Sequence, residues 1–146
     1  MKKLILGLFL VGSIHFGTAQ TKENSEIALI MKESFGKAIT TQLDPVKEQI
    51  AAMLPEESFK LFSKELDDYM PSLFDKMAVV MVKYYTPAEV KQISESKLDP
   101  VNKKLNEKLA EKVAKNDATV QSEMNTITTE WSMGLQGILM KYAPQE

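Results

Sequence analysis

Apolar residues along this chain recur three and four positions apart, the period of one helix face. Nothing beyond residue 20 alternates with the period of two that marks a strand. Proline and Asx residues punctuate the pattern. Residues 25–43 predict a first helix with Ile27, Ile30, Met31, Phe35, Ala38, Ile39 and Leu43 on one face. Gly36 lies inside it at a cost of about 1 kcal/mol relative to alanine, and reads equally as a close helix crossing or a tolerated glycine. Asp44-Pro45 predicts the cap of a second helix striped by Val46, Ile50, Met53 and Leu54, which Pro55 ends. A third carries Phe59, Phe62, Leu66, Tyr69 and Met70 in line. Pro71 then kinks or restarts the helix, because proline lacks the N–H and its ring clashes with the preceding turn. Residues 72–85 are almost wholly apolar, with a thin polar edge of Asp75, Lys76 and Lys83. A helix apolar around most of its circumference is buried on several sides, so this one is expected at the centre.

Two helix starts follow in tandem. Thr86 is a favourable N-cap, Pro87 suits the first helical position, and Glu89 three residues on completes a capping box. Tyr85 and Val90 have the spacing of a hydrophobic staple. Asp99-Pro100 repeats the cap-plus-proline device and predicts a helix over 100–115 with Val101, Leu105, Leu109 and Val113 inward. Asn116-Asp117 predicts a stop and a new cap. The last helix, 118–142, carries Val120, Met124, Ile127, Trp131, Leu135, Ile138 and Tyr142, a regular amphipathic stripe.

The first nineteen residues change the inventory. Lys2 and Lys3, the apolar run from Leu4 to Val11, and Gly17-Thr18-Ala19 predict a signal peptide cleaved before Gln20. The run is shorter than the roughly 20 residues a membrane span needs. Cleavage would leave 127 residues, enough for one domain with a modest core. It would also remove His15, the sole histidine, and leave sixteen lysines against twenty acids, a net charge of about −4. Cysteine is absent and every basic residue is lysine. These absences exclude the usual zinc ligands, cysteine nucleophiles and a Ser-His-Asp triad from the mature chain. Without arginine there is no bidentate phosphate clamp, and an acidic surface disfavours nucleic acid.

The stretch Tyr85-Thr86-Pro87-Ala88-Glu89-Val90, followed by Asp99-Pro100-Val101-Asn102-Lys103-Lys104-Leu105, resembles a family of exported bacterial helical proteins, domain of unknown function 2059. That family's pattern is an aromatic residue, Phe-Thr-x-x-Glu-Leu, a short helix, then Ser-Pro-Val-Gly-Lys-Lys-Leu. Here Ser96-Lys97 replaces the family's Phe-Tyr pair and Asn102 its glycine. The resemblance covers about residues 70–140 and implies an exported all-α domain, with no activity or catalytic residue to transfer.

Candidate chemistry is sparse. Thioether side chains adapt to varied apolar partners, so Met70, Met77, Met81, Met124 and Trp131 are candidate walls of an apolar groove for a lipid or client segment. Their alternative is an ordinary core. Gly134 and Gly137, close to Trp131, suggest close approach of another helix, in the monomer or a homodimer. Lys104, Lys108 and Lys112 form a row that reads as a solvated face or as a contact for anionic headgroups. The pairs Glu56-Glu57 and Asp67-Asp68 are adjacent on helices and so do not face each other. Ser94 and Lys97 have the Ser-x-x-Lys spacing but follow a solvent-facing pattern, and Glu89 is better explained as a capping partner than as a base. No residue is assigned a catalytic, cofactor-binding or metal-binding role, and no cofactor is expected.

The expectation is a signal peptide over 1–19 and a single all-α bundle of five to seven helices over 20–146. Thr86, Glu89 and Asp99 would act as helix-capping residues. Its role would be that of an exported, non-catalytic, periplasmic or secreted interaction module with a protein or envelope partner. The alternative is a carrier of an apolar small molecule or lipid. Neither reading involves nucleic acid or an integral membrane span, and nothing in the chain sets an oligomeric state.

Overall fold

Proline marks helix boundaries at Pro55, Pro71 and Pro87, as its missing N–H dictates, but not at Pro45. The computed structural model describes residues 2–142, with side chains from Lys22 onward; the expected leader's side chains, His15 among them, lie outside the described residues. The helices are α1 (Lys2–Met53), α2 (Glu56–Tyr69), α3 (Pro71–Met81), α4 (Pro87–Leu98) and α5 (Glu107–Tyr142). Met70 keeps right-handed helical angles (φ −53°, ψ −45°) between α2 and α3. The two therefore make one helix bent at Pro71, and the described chain folds into four helical arms, fewer than the five to seven expected. No strand forms among the described residues, and no described helix is long and apolar enough to cross a membrane.

α1 begins at Lys2 rather than at 25, α3 ends at Met81 rather than at 85, and three expected cap signals need correction. Asp44-Pro45 does not start a helix, because α1 runs through it. Apolar and ionic contacts hold α1 beyond the proline. Ile50 and Leu54 pack on the Phe62 cluster, and Lys47 pairs with Asp67 of α2 at 2.8 Å. Asn116-Asp117 does not stop a helix either; the Asn116 amide donates to the Lys112 carbonyl (3.0 Å) inside a continuous α5. Nor does Asp99 cap a long helix. It ends α4 and holds one turn, its Oδ1 accepting from Asn102 N at 3.2 Å. Residues 103–106 then leave helical geometry, and Asn106 begins α5, its Oδ1 accepting from Leu109 N at 2.9 Å. Val101, expected inside, is 77% exposed, whereas Leu105, Leu109 and Val113 do join a core.

The interior divides in two. One core gathers Ile27 and Met31 of α1, Phe74, Ala78 and Met81 of α3, Tyr85, Val90 and Ile93, with Leu109 of α5. The other gathers Phe62 and Leu66 of α2 and Ile138 of α5, with Ile50, Leu54 and Tyr142 at its edge. α3 packs against α1, α2 and α5. This is the central position its pattern predicts, although Val79 joins the exposed edge.

Candidate functional site

The capping box at the start of α4 forms as its residues predict. Glu89 N donates to Thr86 Oγ1 (3.3 Å), and Thr86 N donates to Glu89 Oε2 (2.9 Å). Tyr85 and Val90 are both buried, as a staple requires. Glu89 has a second role that the sequence does not announce. Lys112 of α5 reaches it at 2.7 and 3.0 Å and lies 5.7 Å from the centre of the Tyr85 ring. The Lys112 hydrogen bond, with the Thr86 N–H behind it, holds the Glu89 carboxyl below its ordinary value. Burial raises Tyr85, and the neighbouring Asp117 and Glu89 add to that.

α4 leans on α1 rather than on α5, and a cleft of about 330 Å³ opens between them. Its apolar surface comes from Met31 and Phe35 of α1, Met77 and Met81 of α3, Tyr85, Ile93, and Val113, Val120 and Met124 of α5. Ser94 and Lys97 of α4 line it too, as do Asp117, Gln121 and Asn125 of α5.

Three of the five residues expected in an apolar groove meet here: Met77, Met81 and Met124. Met70 does not. It sits at the bend between α2 and α3, in an open hollow with Gly36 and Phe74. Trp131 does not either. Its ring stacks on Tyr69 at 5.6 Å and 13°, and its buried Nε1–H has no acceptor among the described residues. Met31 and Phe35, which do line the cleft, belong to the first helix's predicted apolar stripe, and their i, i+4 spacing is the signal that places them side by side.

Ser94 requires a further correction. It is 3% exposed, not solvent-facing, and it shares the cleft with Lys97. Helix α4 is turned so that Val90, Ile93 and Ser94 face inward together. No hydrogen bond joins Ser94 to Lys97 among the described residues, and Ser94 lies in the second half of α4 rather than at a helix start.

Gly134 accepts the Tyr69 side chain, whose hydroxyl donates to the Trp131 carbonyl at 2.9 Å. A Cβ at Gly134 would fall 2.8 Å from Tyr69 Cζ and closer still to its hydroxyl. The close approach is thus made by a tyrosine ring rather than by a helix backbone. Gly137 has no atom within 4 Å of where a Cβ would sit, and Gly36 only ordinary contacts.

The basic row does not hold together. Lys104 lies in the non-helical 103–106 segment, and Lys112 is drawn onto Glu89. Glu56 pairs with Lys60, Asp67 with Lys47 and Asp68 with Lys64, all at the surface. Among the described residues no three acidic, histidine or cysteine side chains converge as metal ligands. Two further glutamates clip α5 to its neighbours. Glu123 accepts from Lys83 (2.7 Å) and Tyr84 (2.5 Å), and Glu65 accepts from Lys141 and Tyr142, both at 2.7 Å. The lysine hydrogen bond first, then the tyrosine, lowers each carboxyl.

A second apolar hollow, about 250 Å³, lies where α1 and α5 end, between Val46, Ile50, Met53, Leu54, Leu139, Met140 and Tyr142. Met53 and Met140 on its rim are 57% and 73% exposed. No family model, curated protein or solved structure matches this chain.

Proposed function

We propose that this chain is an exported, non-catalytic helical binding protein whose methionine-lined cleft takes up an apolar small molecule or lipid. The cleft of about 330 Å³ between α4 and α5 carries this reading. Its size falls at the lower end of the range for small-molecule sites, and its mainly apolar walls with a few polar groups have the usual make-up of such sites. Met31, Met77, Met81 and Met124 supply unbranched, polarizable walls that mould to a flexible apolar guest. The predicted leader, and the resemblance of residues 70–140 to domain of unknown function 2059, support an exported helical protein.

A second reading, a module that docks a protein or envelope partner, draws on the hollow flanked by exposed Met53 and Met140. Apolar side chains gathered at a surface favour association.

The test is detergent-free purification of the exported protein from its own envelope fraction, followed by native mass spectrometry. A bound mass of a few hundred daltons supports the carrier, and a bound polypeptide supports the module. A bare chain opposes both. The same spectrum checks export: the expected mass begins at Gln20, and an intact Met1 overturns the predicted cleavage.

A further inference from the structure

We infer that the cleft's ligand is a medium-chain amphiphile with a carboxylate head, held from the α4 wall by Lys97 and Ser94, an inference that rests on the cleft being a binding site. The cleft is chemically lopsided. Its methionine surface, from Met31, Met77, Met81 and Met124, has no polar partner to offer and suits an alkyl chain. The α4 wall is different. Ser94 and Lys97 are three residues apart, neighbours on one helix face, so a single small head can touch both.

Both groups are free to take one. The Ser94 side chain is almost wholly buried and lines the cleft, yet its hydroxyl makes no hydrogen bond among the described residues. The Ser94 oxygen stays open to the cleft, where a ligand oxygen would replace water as its partner. Lys97 makes no ion pair among the described residues, although six other lysines pair within 3 Å. A carboxylate satisfies both at once, accepting a charge-assisted bond from the ammonium and a second from the hydroxyl. Among the described residues the sole acid lining the cleft, Asp117, belongs to the α5 wall, close enough to Tyr85 to raise its hydroxyl. It repels an anionic head from that side and steers it to α4. The volume equals about eleven water-sized groups, at roughly 30 Å³ each. That suits a chain of about ten carbons.

The test is calorimetric titration of the chain beginning at Gln20 with decanoate, 1-decanol and decylammonium at neutral pH. Decanoate is expected to bind about tenfold more tightly than 1-decanol. Lys97→Gln should remove most of that difference while leaving 1-decanol unchanged. Ser94→Ala should weaken decanoate about threefold. Lys97 is exposed, so its variant should fold normally, and an unchanged thermal transition checks this. Met77→Trp should exclude all three ligands by filling the floor. Equal binding of decanoate and 1-decanol, still blocked by Met77→Trp, overturns the carboxylate and keeps the cleft. Tightest binding of decylammonium also overturns the carboxylate and moves the head to Asp117. Absence of binding by all three removes the cleft reading itself.

Discussion

Gly134 and Gly137 look alike in the sequence, two glycines three apart in one amphipathic helix, yet they stand in opposite surroundings. A methyl at 134 runs into the Tyr69 ring and hydroxyl; a methyl at 137 meets nothing. Gly134→Ala should therefore destabilise by about 2 kcal/mol through overpacking. Gly137→Ala should stabilise by about 0.5–1 kcal/mol, because it removes the entropic cost of a helical glycine. Urea unfolding of the two variants checks both signs, and equal shifts would defeat the account. Caps divide in the same manner. Thr86 and Glu89 were legible because the capping box is local, written in four consecutive residues. Asp99 and Asn106 have equal capping chemistry, and local chemistry could not choose between them. Packing of Leu105 and Leu109 into the core places the helix start at Asn106. Asn106→Ala is expected to cost about 1 kcal/mol, and Asp99→Ala clearly less, by the same unfolding measurement.

Whole elements show where propensity yields to packing. Pro45 deprives the Thr41 carbonyl of its i+4 partner, and an interior proline costs about 3 kcal/mol relative to alanine. α1 continues because both sides of the proline are anchored. Phe35 and Ile39 pack on one core, and Ile50 and Leu54 pack on the other. Pro45→Ala should raise stability by about 2 kcal/mol, the restored helical geometry being partly offset by a more flexible unfolded chain. A higher urea midpoint at unchanged slope is the expected result. A lower midpoint would mean that the proline sets a bend the packing needs. Pro55 does end its helix, since the backbone leaves helical geometry there (φ −57°, ψ 150°) and the chain turns to lay α2 against α5. The two prolines are therefore not distinguishable by their local sequence. Tertiary contacts across each decide whether the helix survives.

At the scale of the molecule, three glutamates, Glu65, Glu89 and Glu123, hold α5 against α2, α4 and the end of α3 through lysine and tyrosine donors. All three carboxyls are lowered from 4.5 in the folded state. Each then contributes stability that is present above the unfolded value and is lost as pH falls through the lower folded value. Stability from urea unfolding should hold from neutrality to about pH 5 and decline below about 4.5. The triple variant Glu65→Gln, Glu89→Gln, Glu123→Gln should be less stable at neutrality, with a shallower acid decline. A decline of undiminished slope would place the pH dependence elsewhere. By itself the sequence determined the helical class, the capping box, the central place of the apolar stretch that forms α3 and the absence of histidine and cysteine after residue 19. Those follow from side-chain period, local hydrogen bonding and composition, none of which needs a partner distant in the chain. The tertiary structure alone decided that α1 and α5 run unbroken, that Tyr69 fills the notch at Gly134, and that Met77, Met81 and Met124 meet while Met70 and Trp131 lie elsewhere. It also decided that Ser94 turns inward. Each of these depends on which helix faces which, and that depends on how residues far apart in the chain pack together.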